Sequence, residues 1–351
     1  MNDHDDAHRR GGEAAPGTPG ASEPRVGAGE PDAPTELPAG SWWAAVKRVV
    51  PEFKNDALSD WAAALTYYSV LSIFPALLVV VSLVGLAGAS ASQSLITNVG
   101  QLAPGSVKQV LTNAITQLQH GRSSASLVAV AGVAVAVWSA SKYVAAFMRA
   151  SNAIYDISEG RPIWKTLPIR LAVTLVTLTL LSASAIAVVA TGTLAERAGS
   201  MLGAGHTAVT IWDIAKWPVL LIVVTFLCAL LYWASPNAKQ GFRWVTPGGI
   251  LALLIWLVAS AAFAFYVAAF NSYNKTYGSI AAVIIFLVWL WISNLALLLG
   301  AELNAELERS RHIAQGHPED QEPYVPLRDT RNLHDHQHHQ HNQHHQDGSG
   351  S

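Results

Sequence analysis

Residues 277–303 read YGSIAAVIIFLVWLWISNLALLLGAEL. From Ile280 to Ala301 the run holds no charge and no proline. A bilayer core takes about 20 helical residues to cross, so this stretch is read as a transmembrane helix. Its polar exceptions are Asn294, well inside the run, and Glu302 and Asn304 at its far end. Positions eight apart on a helix differ by about 80° of rotation, so Asn294 and Glu302 lean to one side with Leu298 between them. Polar groups in a membrane helix face protein or a water-filled cavity, because lipid offers them no partner. The other helices are therefore expected to pack around that face.

Working outward, the composition supports a membrane domain between polar tails. The chain is 51% hydrophobic and only 13% charged, unusual for a soluble globular protein. The net charge of −2 hides a division. Residues 1–40 hold eight acidic and three basic residues, and residues 305–351 hold eight and four. The middle, 41–304, carries a net of +7. One cysteine, Cys228, excludes an intramolecular disulfide and a multi-cysteine zinc site. The expected division is a disordered acidic tail over 1–40, a membrane domain over 41–310 and a disordered His-rich tail over 311–351. No apolar run resembling a secretory signal precedes residue 41.

The pattern predicts an all-α, polytopic membrane helix bundle with six transmembrane helices. The expected spans are 61–87, 126–148, 171–191, 217–233, 250–270 and 280–303. Two amphipathic stretches are expected to lie at the interfaces: Ser41–Lys54, with Trp42, Val46, Val49 and Phe53 at helical spacing, and 107–118. Pro75 lies in the middle of the first span, where a kink is expected. Asp60, Ala64, Tyr68 and Ser72 follow at spacing four and draw a polar stripe into that helix. Gly132, Ala136 and Ala140 in the second span allow close helix contact. Pro247, Gly248 and Gly249 open the fifth span, where a first-turn proline is tolerated. With the N terminus inside, eleven Lys/Arg flank the cytoplasmic ends against five outside, which predicts N-in, C-in.

Several residues together resemble one family. They are Ala64-Leu65-Thr66-Tyr67-Tyr68, Leu71-Ser72-Ile73-Phe74-Pro75, Asn152-Ala153-Ile154-Tyr155 and Leu231-Tyr232-Trp233-Ala234-Ser235-Pro236. Further on come Arg243, Pro247-Gly248, Tyr273, Tyr277-Gly278-Ser279, Trp289-Leu290-Trp291 and Gly300-Ala301-Glu302-Leu303-Asn304. In order and spacing this is similar to the YihY/BrkB family of multipass inner-membrane proteins, over about residues 45–310. The resemblance implies six helices and a bacterial plasma membrane. It implies envelope phenotypes rather than a firm activity, and it marks an old ribonuclease label as a misassignment.

The residues themselves argue against an enzyme. A nuclease needs metal ligands or an acid/base pair in water, and the spans supply neither. His120 and His206 are the only histidines between 9 and 311. No cofactor and no nucleic-acid partner are expected. The distal tail holds His338, His339, His344 and His345 among glutamines, a tract that binds zinc, nickel or copper weakly at best. A tail with no selected role is the plainer reading.

The N-in arrangement places Asp60, Lys142, Arg149, Asn152, Arg170, Arg243 and Glu302 at similar depth near the inner leaflet. The expectation is a cytoplasmic vestibule for an anionic or amphiphilic substrate, with Tyr68, Ser72, Pro75 and Asn294 lining a cavity or gate. The plainer reading is ordinary positive-inside flanks and ion pairs that lock the bundle. Two functions stay open: a transporter or lipid-translocating permease serving the envelope, and a non-transporting scaffold for envelope machinery. The bilayer is the one certain partner, and self-association is left open.

Overall fold

The computed structural model describes residues 33–86, 125–189, 205–269, 274–319 and 322–333. After a short turn at Pro34–Glu36, helix α1 covers Ala39–Asn55 and α2 covers Leu58–Leu86. Helices α3 (Ala125–Ile154), α4 (Ile163–Val189), α5 (Gly205–Ala234), α6 (Phe242–Ala269) and α7 (Asn274–Ala314) follow. No strand occurs among the described residues, only an isolated bridge between Ala238 and Leu327.

Among the described residues, four helical stretches are long and apolar enough to cross a membrane. They are Ile163–Ala185, Ile214–Ala234, Phe242–Val267 and Val283–Ala314. They coincide with the third to sixth expected spans. The first two expected spans fall in α2 and α3, helices of 29 and 30 residues. The side chains of α2 from Phe74 onward, including Pro75, lie outside the described residues, as do the stretch 107–118 and Gly132 and Ala136.

The six long helices alternate in direction. Asp56 at the head of α2 lies beside Glu302 near the end of α7, while Thr66 farther along α2 meets Asn294. Val144 and Met148 of α3 pack on Val173 of α4, and Trp233 at the end of α5 meets Phe242 at the start of α6. Helix α1, the α3–α4 and α5–α6 loops and the end of α7 therefore share one end of the bundle, called here the polar end.

Helix α7 organises the packing, as its apolar run predicts. Leu298 is fully buried in the main core, with Leu58, Leu65, Phe147, Tyr232 and Val245 around it. Asn294 and Glu302 lie on the same buried side. The helix has 41 residues, about 60 Å at 1.5 Å per residue, so its last turns project beyond a hydrocarbon core of about 30 Å. Those turns carry Glu306, Glu308, Arg309 and Arg311.

One crossing explains two of the sequence signals. Pro247 is not the opening residue of its helix, because α6 starts earlier, at Phe242. A proline inside a helix removes a hydrogen bond and disturbs the ladder around it. Asn304 of α7 braces the backbone on either side of Pro247: its Oδ1 accepts from the Gly248 N–H at 2.8 Å, and its Nδ2 donates to the Val245 carbonyl at 3.0 Å. This brace needs the two backbones in contact. A Cβ on Gly248 would overlap the Gly300 carbonyl, and one on Gly300 would overlap the Gly248 carbonyl and the Tyr232 hydroxyl. Glycine at both positions lets α6 and α7 touch.

Of the segment expected as a tail from 311 onward, residues 311–319 and 322–333 are among those described. Helix α7 runs to Ala314, and residues 322–333 form a strap across the polar end. Val325 of the strap is 3% exposed and belongs to the main core. Asn237, in the turn after α5, holds it. Its Nδ2 donates to the Asp329 carbonyl at 2.9 Å and to the Ser158 carbonyl at 3.2 Å, and its Oδ1 accepts from the Asp329 N–H at 3.2 Å. Backbone bonds from Arg328 to Asn237 and from Lys239 to Pro326 add to this. Gly160 lies against the strap so closely that a Cβ there would overlap the Asp329 carbonyl.

Candidate functional site

The polar end gathers an acidic cleft between α1, α2, α7, the end of α3 and the strap. Its volume is about 360 Å3 including its open mouth, and Glu52, Asp56, Tyr155, Asp156, Glu302 and Tyr324 help line it. Helical spacing builds two walls. Glu52 closes α1 and Asp56 follows it four residues on, while Glu302 and Glu306 sit four apart on α7. Asp156 reaches in from the turn after α3 in a left-handed conformation, φ 50°, which aspartate tolerates better than most residues. Ala57, which joins α1 to α2, is left-handed as well, φ 49°.

Charge in the cleft is unbalanced. Two arginines, Arg48 and Arg309, answer these five carboxylates, and both serve Glu306. Arg48 Nε pairs with its carboxylate, and Arg309 Nη1 lies 3.4 Å from it and 3.4 Å from Glu52. Arg309 also stacks over the Tyr324 ring at 4.5 Å. Asp56 and Glu302 have no cation. Both line the cleft, each without an ion-pair partner among the described residues. Glu302 is 1% exposed, and its Oε2 meets no nitrogen or hydroxyl donor among the described residues. Burial, and after it the nearby Asp156 and Glu52 charges, push the Asp56 carboxyl up to about 6. Asp156 is also pushed up to about 6, by burial and then by neighbouring carboxylates. Among the described residues no three His, Cys, Asp or Glu side chains are arranged to hold a metal ion.

A second polar cluster lies beside the cleft and is fully paired. Arg161, 3% exposed, grips Glu159 with two nitrogens at 2.8 and 2.7 Å and donates to the carbonyls of Ala234 and Ser235. Burial alone would raise Glu159, but the Arg161 and Asn152 contacts outweigh it and hold this carboxyl below its ordinary value. Arg331 and Lys165 hold the Asp329 carboxyl far below the usual range. These groups fasten loops and strap together.

The seven side chains expected in one vestibule fall into separate groups. Glu302 alone lines the acidic cleft. Asn152 is buried, bonding Glu159 at 3.0 Å and the Asn237 N–H at 2.8 Å. Arg149 stacks over Tyr68 at 5.8 Å, and Arg170 over Trp138 at 4.9 Å. Asp60, Lys142 and Arg243 are exposed on different helices. Of the expected gate, Asn294 is 5% exposed and closed in by partners. Tyr143 donates to its Oδ1 at 2.9 Å, and its Nδ2 reaches Thr66 at 3.2 Å and Ser69 at 3.4 Å. Ser72 is buried with its Oγ unpaired. His338, His339, His344 and His345 lie outside the described residues.

The sequence reading missed Glu52, Asp56, Asp156 and Glu306. One signal was available: Glu302 and Glu306 share a helix face, and Glu52 and Asp56 repeat the same spacing on the helix whose apolar residues mark it as interfacial.

The family model described as "Virulence factor BrkB" matches residues 49–324, most of the chain, from the last turns of α1 through α7. The chain belongs to the BrkB family. A putative ribonuclease-like protein YfkH of Bacillus subtilis is 29% identical over 260 residues, 73% of this chain and 92% of that protein. A UPF0761 membrane protein of Vibrio vulnificus is 28% identical over 272 residues, covering 76% of this chain and 83% of its own. Another, from Azoarcus, is 30% identical over 270 residues, 72% of this chain and 61% of its own. This BrkB-family chain is thus a membrane protein of a family without an established catalytic activity. The ribonuclease-like wording belongs to the Bacillus protein's name and corresponds to no site described above. No solved structure matches the chain.

Proposed function

We propose that the protein is a proton-responsive permease for amphiphilic envelope material in the bacterial plasma membrane, with six spans and both termini in the cytoplasm. The Lys/Arg asymmetry supports this orientation. The alternating helices, with α1 and the strap at one end, are consistent with it. The observation that carries the reading is the Asp56–Glu302 pair. A buried carboxyl with no cation, at the mouth of a helix that is otherwise apolar, is a place where one proton can bind or leave. Such groups in membrane proteins mark ion or proton pathways far more often than they stabilise a fold. The acidic cleft offers no purchase to an anion, so an anionic headgroup would be met at the separate face of Arg149 and Arg170.

The test is flux in liposomes holding the purified full-length chain, with a tail-labelled phospholipid as probe and an imposed proton gradient. The expected result is transfer between leaflets that accelerates with the gradient and is lost in Glu302→Gln and Asp56→Asn at normal protein levels. Absence of wild-type transfer of the lipid, or variants that change only the amount of folded protein, would sink the reading.

The scaffold reading keeps support from one observation: Asn294 is buried, and its amide is bonded to Tyr143, Thr66 and Ser69, as in a group that locks helices together. A single cysteine at 294, probed with an impermeant maleimide in a Cys228→Ser background, separates the two. A permease must expose it in part of its cycle.

A further inference from the structure

A second cavity among the described residues, larger than the acidic cleft, lies on another side of α1. It is a groove of about 740 Å3 between α1 and α6, closed at its base by Leu303 of α7. Trp42, Val46 and Val49 form one wall; Ile250, Leu251 and Leu254 form the other. The volume is within the range of ligand pockets, roughly 300–1,000 Å3. Two features distinguish it from a chance gap between helices.

The first is its place relative to the bilayer. Ile250 and Leu254 are half exposed, and both lie in the stretch Phe242–Val267 that is apolar enough to span a membrane. Helix α1 has the composition of an interfacial helix, with Trp43 and Val50 exposed on its outer side and Lys47 beside the Trp43 ring at 5.4 Å. The groove thus opens sideways into the leaflet, where the helix that lies on the membrane meets one that crosses it. From Arg243 to Leu254 it follows α6 for about 16 Å.

The second is its charge. Arg243 is on the lining at the polar mouth. It is exposed and has no hydrogen-bond or ion-pair partner among the described residues, while Arg48, Arg309 and Arg161 are all engaged. A free guanidinium above an apolar slot has the polarity of one molecule in particular: an anion attached to a hydrocarbon chain. Guanidinium groups bind phosphate oxygens through two parallel donors.

We propose that this groove binds an anionic phospholipid of the inner leaflet, with its phosphate on Arg243 and one acyl chain along Ile250, Leu251 and Leu254. The site does not depend on the permease reading, since a scaffold would also hold such a lipid. The chain's own N-terminal segment is the competing occupant, because Ala33 and Pro34 line the groove. Residues 1–32 offer only Met1 and Val26 as large apolar side chains, too few to fill a slot of this size.

The experiment is lipid titration of the delipidated full-length protein in a non-ionic detergent, read by native mass spectrometry. Phosphatidylglycerol and phosphatidylcholine with identical acyl chains are the probes. One basic group near an anionic headgroup contributes about a fivefold gain in binding, so wild type is expected to prefer phosphatidylglycerol by at least about that factor. Arg243→Gln should remove the preference, while Lys216→Gln, about 27 Å along the bundle by the rise of α5, should leave it intact. Leu254→Trp, which fills the slot, should weaken both lipids. Equal binding of the two lipids by wild type would overturn the proposal. So would a loss in Arg243→Gln no larger than in Lys216→Gln. A chain lacking residues 1–32 that gains affinity for phosphatidylglycerol would place the N-terminal segment in the groove instead.

Discussion

Replacing Asn237 by alanine should release the C-terminal strap while leaving the helices in place. Asn237 is fully buried, and its side chain makes three hydrogen bonds, two of them to Asp329 of the strap and one to Ser158. Each is worth about 1 kcal/mol net, so the whole substitution costs about 3 kcal/mol, of which about 2 kcal/mol holds the strap itself. That share raises the open population of the strap about 30-fold. The backbone bond from Arg328 to the Asn237 carbonyl survives, so release is partial. Hydrogen exchange of the protein in detergent reads this directly. The amides of Arg328, Asp329 and Lys239 should exchange about 30-fold faster, with those of Leu298 and Phe147 unchanged. Asn237→Asp should do the same, because it keeps the acceptor for Asp329 N–H but sets a carboxylate oxygen against two carbonyls. Unchanged exchange at the strap would refute the reasoning, as would acceleration spread evenly over α2 and α7.

Other outcomes follow from the crossing, the left-handed joint and the cleft. Gly300→Ala should cost about 1–3 kcal/mol or prevent folding, since its methyl meets the Gly248 backbone, and thermal unfolding in detergent measures it. Ala57→Gly should stabilise by about 1 kcal/mol by relieving a left-handed alanine, seen as a higher melting temperature. Asp56 and Asp156 are raised to about 6, so the folded state holds more protons than the unfolded one between pH 4 and 6. Stability should therefore fall as pH rises across that window and level off above it, and Asp56→Asn should flatten the slope.

The helices were legible because apolar runs of spanning length admit few other readings. The buried side of α7 was legible too, since Asn294, Leu298 and Glu302 recur near helical period and lipid cannot satisfy an amide or a carboxyl. The grouping of polar side chains was not. Depth in the bilayer follows from position in a helix, but azimuth follows from packing. Lys142 and Asp60 lie on helices that pack in the same bundle as Glu302, yet both are exposed while Glu302 is buried. The strap was hidden for a different reason. Its segment, EPYVPLRDTRNL, is polar and proline-rich, and composition alone describes a tail. Much of what holds it is a buried asparagine 92 residues before Asp329, and no local pattern announces such a pairing.

Val325 shares a buried cluster with Leu58, 267 residues earlier in the sequence. The core therefore cannot be completed while the chain is still being inserted. Helices α2 to α7 must find one another with a vacancy at the polar end, and the strap fills it last. Contacts so distant in sequence form slowly. Synthesis that stops shortly after α7 would leave every membrane helix made and the bundle still unsealed.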